Sequence, residues 1–340
     1  MKLLRELSKK YRVVSVVGMA KNAGKTTVLN YLIEEAADEG IALGITSTGR
    51  DGERKDIVTG TDKPGIYLWE DTMVTTPSGL YDMSEAGLEI LRVTEYSGAL
   101  GEILLCRVAE AGYVQTAGPV ATADQRGICR EMLDRGADMV LVDGAVDRRA
   151  IAAPEASDAV ILATGAALSR SVAKVVEETM HVAGLYRLPE FSDQAARRII
   201  AENGNSGRLT VFEKKGARFP DVTTGLAAGG VLNEAIGNET KYVYLPGALT
   251  EGVVAGVSPS KLKQIAFIVK NPTKIFIDSA SWRLLRKKGL RVRVLKNVEI
   301  AALTVNPRAP EGYSFDRAAL LSAMREAAGG IPVLDVRYAG

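Results

Sequence analysis

The chain has 340 residues, enough for two domains, and its 46% hydrophobic and 25% charged residues are typical of a soluble globular protein. The formal net charge of +2 argues against nucleic acid as a partner, and no apolar run is long enough to span a bilayer. The charged start of the chain lacks the apolar core of a secretion signal, and Cys106 and Cys129 are the only cysteines. We therefore expect a cytoplasmic protein with no disulfide framework, no nucleic-acid partner and no membrane partner.

The first strong pattern is a glycine-rich stretch between a predicted strand and a predicted helix. The apolar run Val13 to Val17 predicts the strand, and the apolar periodicity after the stretch predicts a helix that stops at Gly40. In this context backbone N–H groups at a helix N-terminus converge on an anion, and the helix dipole favours negative charge there. The pattern predicts a phosphate-binding loop for a nucleotide. The candidate nucleotide-binding residues are Gly18, Lys21, Asn22, Ala23, Gly24, Lys25, Thr26 and Thr27.

Two residues of this loop have specific expected roles. Lys25 is placed to reach the terminal phosphates, and the Thr26 hydroxyl is placed to ligate a magnesium ion that bridges them. The usual spacing would put the first glycine at position 19, where this chain has Met19, and Gly18 lies one residue earlier. The alternative interpretation is an ordinary turn between a strand and a helix.

The next polar loop follows the predicted strand Ile41 to Thr46 and runs from Ser47 to Glu53. In a doubly wound sheet ligands bind at the carboxyl ends of the strands, so we expect this loop to face the phosphate-binding loop. Asp51 is a candidate to hold a magnesium-bound water, and Arg50 is a candidate to meet a phosphate or a second substrate. Alternatively, this aspartate belongs only to a tight turn.

The middle of the chain predicts a helix over Glu85 to Val93, a strand over Gly101 to Val108 and an amphipathic helix over Thr122 to Arg135. An apolar strand then ends at Asp143, before small residues. A strand ending in an acid is common, but downstream of a phosphate-binding loop it is the expected form of a Walker-B strand, which binds magnesium. The candidate catalytic residues are Lys25, Asp51 and Asp143, and the candidate magnesium ligands are Thr26, Asp51 and Asp143.

A further buried strand, Asp158 to Gly165, precedes a helix that ends near the single histidine, His181. A histidine at that position more often caps carbonyls or faces solvent than acts in catalysis. A turn-rich join places a domain boundary near residue 205. We predict an α/β fold in which residues 1–205 form a doubly wound, mostly parallel sheet, and residues 206–340 form a second, smaller α/β domain with a largely parallel sheet.

One basic cluster lies in the second domain and lacks interleaved aromatic residues beyond Trp282. A solvated helix face is the favoured interpretation, and a nucleic-acid or phosphate-binding patch is the alternative. The cluster consists of Arg283, Arg286, Lys287, Lys288, Arg291 and Arg293.

The early glycine and the strand ending in Asp-Gly-Ala resemble one branch of the phosphate-loop proteins. That branch includes dethiobiotin synthetase, the cobyrinic acid amide synthases and MinD-like proteins, which share the early glycine, so Met19 is a family variant. The run Lys21 to Thr27 is also similar to the molybdopterin-guanine dinucleotide biosynthesis adapter proteins. In this branch the Walker-B acid is often Glu, where the chain has Asp143. Dimers are common in the branch, so the resemblance implies a homodimer.

Three segments resemble an accessory family encoded with lysine and ornithine aminomutases. They are Lys21 to Thr27, Ser47 to Glu53, and the tail that contains Thr304 to Pro307 and Gly312 to Asp316. The resemblance implies a protein that uses ATP and Mg²⁺ to reactivate a partner enzyme, a cobalamin-dependent aminomutase.

The hypotheses that remain are an ATP-dependent accessory protein, a ligase of the dethiobiotin synthetase kind, and a small-molecule kinase or a nucleotide-binding module without turnover. A glutaminase domain needs a cysteine nucleophile paired with a histidine, and residues 205–340 contain neither. Glutamine-dependent amidation is therefore excluded. No guanine-reading motif Asn-Lys-x-Asp follows a strand, which favours ATP over GTP.

Overall fold

The computed structural model describes residues 2–48, 65–98, 100–144, 152–203, 208–214, 216–220 and 228–336. The chain is a mixed α/β protein that divides into two compact units. The first unit joins Met1–Thr179 to Glu299–Gly340, and the second unit is Met180–Val298. This division differs from the boundary near residue 205 that the sequence suggested, because the end of the chain belongs to the first unit.

Helices and strands alternate along the described residues. Up to residue 186 they are α1 (Leu3–Ser8), β1 (Val13–Gly18), α2 (Lys25–Glu39), β2 (Leu43–Thr48), β3 (Ile66–Leu68), β4 (Met73–Pro77), α3 (Ser78–Tyr81), β5 (Gly87–Gly98), β6 (Gly101–Glu110), β7 (Gly112–Val114), α4 (Thr122–Asp134), β8 (Met139–Gly144), β9 (Ala159–Gly165) and α5 (Val172–Tyr186). From residue 194 they are α6 (Gln194–Glu202), β10 (Thr210–Glu213), β11 (Gly216–Arg218), α7 (Ala228–Ala235), β12 (Tyr242–Leu245), β13 (Leu249–Thr250), α8 (Glu251–Ala255), α9 (Pro259–Gln264), β14 (Ala266–Val269), a 3₁₀ turn (Pro272–Lys274), β15 (Ile275–Phe276), α10 (Ser279–Lys287), β16 (Val292–Val294), β17 (Ile300–Asn306), α11 (Arg317–Ala327) and β18 (Val333–Leu334).

The first unit is built on a large sheet with the strand order β18-β17-β9-β1-β8-β2-β4-β6-β5. The strands from β18 to β4 run parallel, and β6 pairs antiparallel with both β4 and β5. Strands β1, β2 and β9 are buried along their whole length. Continuous burial is expected for parallel strands covered on both faces, and it explains their runs of Val, Ile and Leu.

Helices lie on both faces of this sheet. Val14 and Val16 of β1 share a hydrophobic cluster with Leu29 of α2, so α2 lies on that face. Thr46 of β2 points to the opposite face, where its hydroxyl accepts a hydrogen bond of 3.2 Å from Nε2 of Gln125 in α4. The carboxyl ends of the parallel strands therefore form one edge between the two helix layers.

The helix predicted over Glu85 to Val93 is wrong. Residues Gly87–Gly98 form strand β5, which pairs antiparallel with β6, with register shifts along the pair. The predicted strand over Gly101 to Val108 is confirmed as β6. The apolar spacing of this segment suited a helix, but a long hairpin with β6 satisfies its backbone, and tertiary pairing overrides a local preference of this size.

The end of the chain returns to the large sheet. Strand β17 pairs in parallel with β9 over Ile300 to Asn306, and β18 pairs in parallel with β17. The sequence predicted a strand over Ile300 to Val305 and assigned all of residues 206–340 to the second domain, and this location is wrong for both strands. Because β17 is buried up to Val305, its apolar run is that of an interior strand of the large sheet.

The second unit contains a mixed sheet with the order β11-β10-β12-β14-β16. Strands β12, β14 and β16 are parallel, while β10 pairs antiparallel with β11 and β12. The sequence predicted a largely parallel sheet, and this is confirmed only for the pairings of β12 with β14 and of β14 with β16. Ile200 of α6 packs against Phe212, Tyr244 and Ile268 on one face of this sheet. Within the described ranges, none of the helices combines the length and the apolar composition that crossing a bilayer requires.

Candidate functional site

The predicted phosphate-binding loop connects β1 to α2 at the carboxyl edge of the large sheet. Met19 donates its backbone N–H to the carbonyl oxygen of Ala163 in β9 at 2.8 Å, which fixes the start of the loop to the neighbouring strand. Asn22 and Gly24 have positive φ angles of 63° and 100°. This left-handed turn brings the chain from the end of the strand to the first residue of the helix, Lys25.

The N-terminus of α2 is open. No side chain caps it, because the capping position is Gly24. The first N–H groups of a helix have no acceptor within the helix, so those of Lys25, Thr26 and Thr27 are directed at the space in front of the loop. Together with the helix dipole they form an arrangement that attracts an anion.

Gly18 has a steric role that explains the early glycine. A Cβ atom at position 18 would lie 3.0 and 3.1 Å from Cγ and Cδ of Lys25 and 3.2 Å from the carbonyl oxygen of Ala20. The aliphatic stem of Lys25 therefore folds back over the end of β1, and a side chain at position 18 would press against it. Met19 needs no such property, since its backbone is used for the contact with β9.

Lys25 and Asp143 meet in front of this glycine. The Lys25 Nζ atom lies 3.7 Å from Oδ1 of Asp143, and it donates a hydrogen bond to the carbonyl oxygen of Gly144. The pairing of β1 with β8 sets this contact, because Val16 is opposite Asp143 and Val17 is opposite Gly144. The two charged side chains are only 20% and 19% exposed, so their attraction is less screened than that of a surface pair. The structure brings these two predicted catalytic residues together.

The other predicted site residues differ in exposure, and one of them lies outside the described residues. Thr26 is exposed in the first turn of α2, Lys21 and Asn22 are exposed on the loop, and Ala23 is buried. Asp51 and the rest of the segment 49–64 lie outside the described residues. Strand β2 ends beside the site, since Ser47 and Thr48 are opposite Asp143 and Gly144 of β8.

Asn306 was not identified as a site residue from its chemistry. It ends β17, its Nδ2 atom donates to the carbonyl oxygen of Asn22 at 3.4 Å, and its Cβ lies 3.3 Å from the position of a Cβ on Gly24. Only the pairing of β17 with β9 brings it to the loop. The sequence signal available was the buried strand that ends in Asn-Pro, and spacing alone could not assign that strand to the first unit.

Gly165 shows how closely the end of β17 approaches β9. A Cβ on Gly165 would lie 2.0 Å from the carbonyl oxygen of Asn306, which accepts a hydrogen bond of 2.9 Å from the N–H of Ala166. Tyr313 extends the contact by donating its hydroxyl hydrogen to the carbonyl oxygen of Ala166, and the Arg170 guanidinium lies 4.9 Å from the centre of the Tyr313 ring. The C-terminal segment thus forms one wall beside the loop.

The residues outside this edge argue against thiol chemistry. Cys106 and Cys129 are buried, and burial raises the pKa of Cys106 to about 11 and that of Cys129 to about 12. A thiol with such a pKa is not a nucleophile at neutral pH.

The single histidine, His181, belongs to the second unit, where a 2.9 Å hydrogen bond joins its Nε2 atom to the carbonyl oxygen of Ile277.

The site therefore consists of an open helix N-terminus, a lysine and a carboxylate that face each other, and an asparagine from the end of the chain. Comparisons of the chain with protein-family models, with curated proteins and with solved structures find no match. The functional assignment consequently depends on the geometry of these residues.

Proposed function

We propose that the chain has the doubly wound phosphate-loop fold, binds ATP with Mg²⁺ at the glycine loop, and hydrolyses ATP as an accessory protein that acts on a partner enzyme. The observation that carries the proposal is the approach of Lys25 to Asp143 across Gly18 at the carboxyl edge of a parallel sheet. This is the edge at which open α/β sheets bind ligands.

The phosphates would lie against the N-terminus of α2. Uncapped N–H groups of Gly24 to Thr27 would donate to phosphate oxygens, and Lys25 would neutralise the terminal phosphate. Lys25 now donates to the Gly144 carbonyl oxygen, so it would exchange that acceptor for a phosphate oxygen on binding. The room left by Gly18 allows the lysine stem to make this change.

The donor set suits Mg²⁺. The Thr26 hydroxyl and the Asp143 carboxylate are oxygen ligands, and Asp51 would supply a third oxygen from outside the described residues. Among the described residues, no group of three or more His, Cys, Asp or Glu side chains forms a metal cluster. These few protein oxygens fit an ion that completes its shell with phosphates and water. When bound, the ion would supply charge neutralisation at the phosphates.

Catalysis would depend mainly on positioning and electrostatics, as in other phosphoryl transfers. Lys25 would stabilise the charge that develops on the leaving phosphate, and the partly buried position of the Lys25–Asp143 pair would strengthen these interactions. The resemblance to the accessory family of aminomutases supports a cobalamin-dependent aminomutase as the partner enzyme. The absence of a reactive thiol at neutral pH agrees with a reaction other than glutamine-dependent amidation.

A ligase or small-molecule kinase of the dethiobiotin synthetase kind is a second candidate, and one observation favours it. The buried Thr48 hydroxyl has no hydrogen-bond partner among the described residues, and Thr48 is opposite Gly144 at the same sheet edge. A buried hydroxyl without a partner is costly, and a second substrate beside Asp143 would satisfy it.

Phosphate release from ATP by the purified full chain, with and without Mg²⁺, tests the proposal. We expect Mg²⁺-dependent hydrolysis that increases when a purified cobalamin-dependent aminomutase is added. Turnover only with a small carboxylic acid or amine would replace it with the ligase or kinase. A Lys25→Ala variant that hydrolyses ATP as fast as the wild type would refute the phosphate-loop assignment itself.

A further inference from the structure

The second unit contains a cavity of about 480 Å³ that the proposed ATP site does not use. Ligand pockets for small molecules typically have volumes of roughly 300–1,000 Å³. The cavity adjoins the edge strand β16 and the segment before α6, and every residue that lines it belongs to the second unit.

Three arginines of the basic cluster line this cavity. They are Arg286, Arg291 and Arg293, and the only acidic lining residue is Glu190. Arg291 directly precedes β16 and Arg293 lies within it, and the spacing of two residues in extended chain places both side chains on the same face. The other members of the cluster, such as Lys287, do not line the cavity. All six residues of the cluster are exposed, and the structure divides them into three arginines that line the cavity and three residues that do not.

The hydrogen bonds of these arginines leave donors for a ligand. Arg291 uses Nε and Nη2 to donate to carbonyl oxygens of residues 263–265, which fixes its guanidinium and leaves Nη1 without an acceptor among the described residues. Arg286 donates from Nη1 to the carbonyl oxygen of Leu290 at 3.0 Å. The backbone of Arg293 pairs with β14, but its side chain forms no ion pair or hydrogen bond with another residue of the described ranges. Glu190 already accepts the N–H of Asn297 at 3.1 Å.

One wall of the cavity is aromatic. The rings of Phe191 and Tyr242 meet edge to face with their centres 4.9 Å apart, and both residues line the cavity. Phe191 is buried and Tyr242 is half-buried, so the pair forms a rigid surface with one accessible ring. Such a surface favours the face or edge of a second flat ring.

We propose that this cavity binds a small organic phosphate that carries a flat ring. Three guanidinium groups against one carboxylate leave an excess of two positive charges, which a phosphate monoester balances with its charge of about −1.5 to −2 at neutral pH. Guanidinium groups bind phosphate oxygens through paired N–H donors, and the Phe191–Tyr242 wall receives the ring. The volume accommodates both parts of such a ligand.

Isothermal titration calorimetry of the full chain with phenyl phosphate tests the site. Inorganic phosphate and phenol serve as probes for the charged part and the ring alone. We expect saturable binding of phenyl phosphate with a Kd below about 1 mM, and weaker binding of each partial probe. Arg293→Gln should weaken phenyl phosphate binding by about 10-fold, because it removes charge-assisted hydrogen bonds.

The matched control is Lys287→Gln, which removes one positive charge from the exposed surface next to Arg286 and should leave the Kd within about twofold. Arg286→Gln provides a second variant if Arg293→Gln does not fold. Equal weakening by Lys287→Gln would overturn the proposal, since a diffuse positive surface would then explain binding. Loss of binding in Lys25→Ala would assign phenyl phosphate to the glycine loop and would overturn the proposal. If inorganic phosphate binds as tightly as phenyl phosphate, the ring makes no contribution to binding and that part of the proposal is wrong.

Discussion

The glycine loop of the first unit and the arginine cavity of the second unit differ in the groups that they would offer to an anion. At the loop, the donors are backbone N–H groups at a helix N-terminus, and the one lysine in front of them already faces a carboxylate, Asp143. In the cavity, the donors are guanidinium groups, and the Arg293 side chain has no hydrogen-bond or ion-pair partner among the described residues.

This difference predicts different sensitivities to substitution. A site made of backbone depends on close approach, so a single added methyl group can disrupt it without changing any charge. A site made of long side chains tolerates changes of shape, and it responds mainly to the number of charges that line it. The following predictions test this contrast, in order of decreasing effect.

The largest effect is expected for Gly165→Ala. The new Cβ would lie 2.0 Å from the backbone oxygen of Asn306, and the positive φ of 155° disfavours a side chain. We expect the free energy of unfolding to fall by about 3 kcal/mol, measured by denaturant titration. Gly184→Ala is the matched control, because nothing lies within 4 Å of its Cβ position. A wild-type stability for Gly165→Ala would show that β17 does not approach β9 as described.

Lys25→Ala is expected to reduce ATP hydrolysis by about 100-fold, because it removes the charge that stabilises the leaving phosphate. Phosphate release under saturating ATP and Mg²⁺ measures the effect. The control is Lys10→Ala, which replaces an exposed lysine of the same unit and should retain the wild-type rate. If both variants hydrolyse ATP equally, the loop is not the catalytic site.

The cysteines give a probe that reports on the first unit alone, since residues 180–298 contain none. Burial raises the pKa of Cys106 to about 11 from an ordinary value of 9.0, so at pH 8 its thiolate population is lower by about 100-fold. We expect iodoacetamide to label the folded chain at least that much more slowly than the unfolded chain, as followed by mass spectrometry.

The same pKa shifts give a pH dependence with a definite sign. The folded state holds both thiol protons more tightly, so this contribution to stability is complete below pH 9 and decreases as the pH rises toward about 11 for Cys106 and about 12 for Cys129. Replacing both cysteines with Ala should flatten the decline of unfolding free energy above pH 9. An unchanged slope would show that other groups cause it.

The smallest effect is expected for Asn306→Ala. It removes the 3.4 Å hydrogen bond to the carbonyl oxygen of Asn22 and the 3.1 Å hydrogen bond from the N–H of Arg308. We expect the KM for ATP to rise by about fivefold with little change in kcat, because the loop loses a contact that shapes it. Asn238→Ala, at an exposed position of the second unit, is the control. A KM unchanged by Asn306→Ala would separate the C-terminal wall from the nucleotide site.

The local elements of the site could be predicted from sequence. The apolar run at Val13, the glycine-rich turn and the helical periodicity after it are short-range signals, and they correspond to β1, the loop and α2. The strand that ends at Asp143 is equally local, since burial on both faces leaves a continuous apolar run. Parallel pairing then brings Lys25 and Asp143 together without further information.

The non-local features could not be predicted in this way. The sequence shows that residues 300–306 form a strand, but its partner, β9, lies more than a hundred residues earlier, and hydropathy does not encode pairing. The prediction for the segment Gly87 to Gly98 was wrong for a related reason. Its apolar spacing suits a helix, and only the pairing with β6 makes it a strand. The arginine cavity depends on which side chains share a face, so the sequence showed its charges only as one cluster.

The late return of β17 to the large sheet has a consequence for the order in which the protein is made. A ribosome that has synthesised residues 1–179 has exposed β9 as an edge strand, and the whole second unit must emerge before β17 can cover it. The wall that Asn306 and Tyr313 form beside the glycine loop therefore arises only after residues 180–298 have been synthesised. A nascent chain that stops before residue 300 would carry the glycine loop without this wall, so under the proposed function its affinity for a nucleotide would be incomplete.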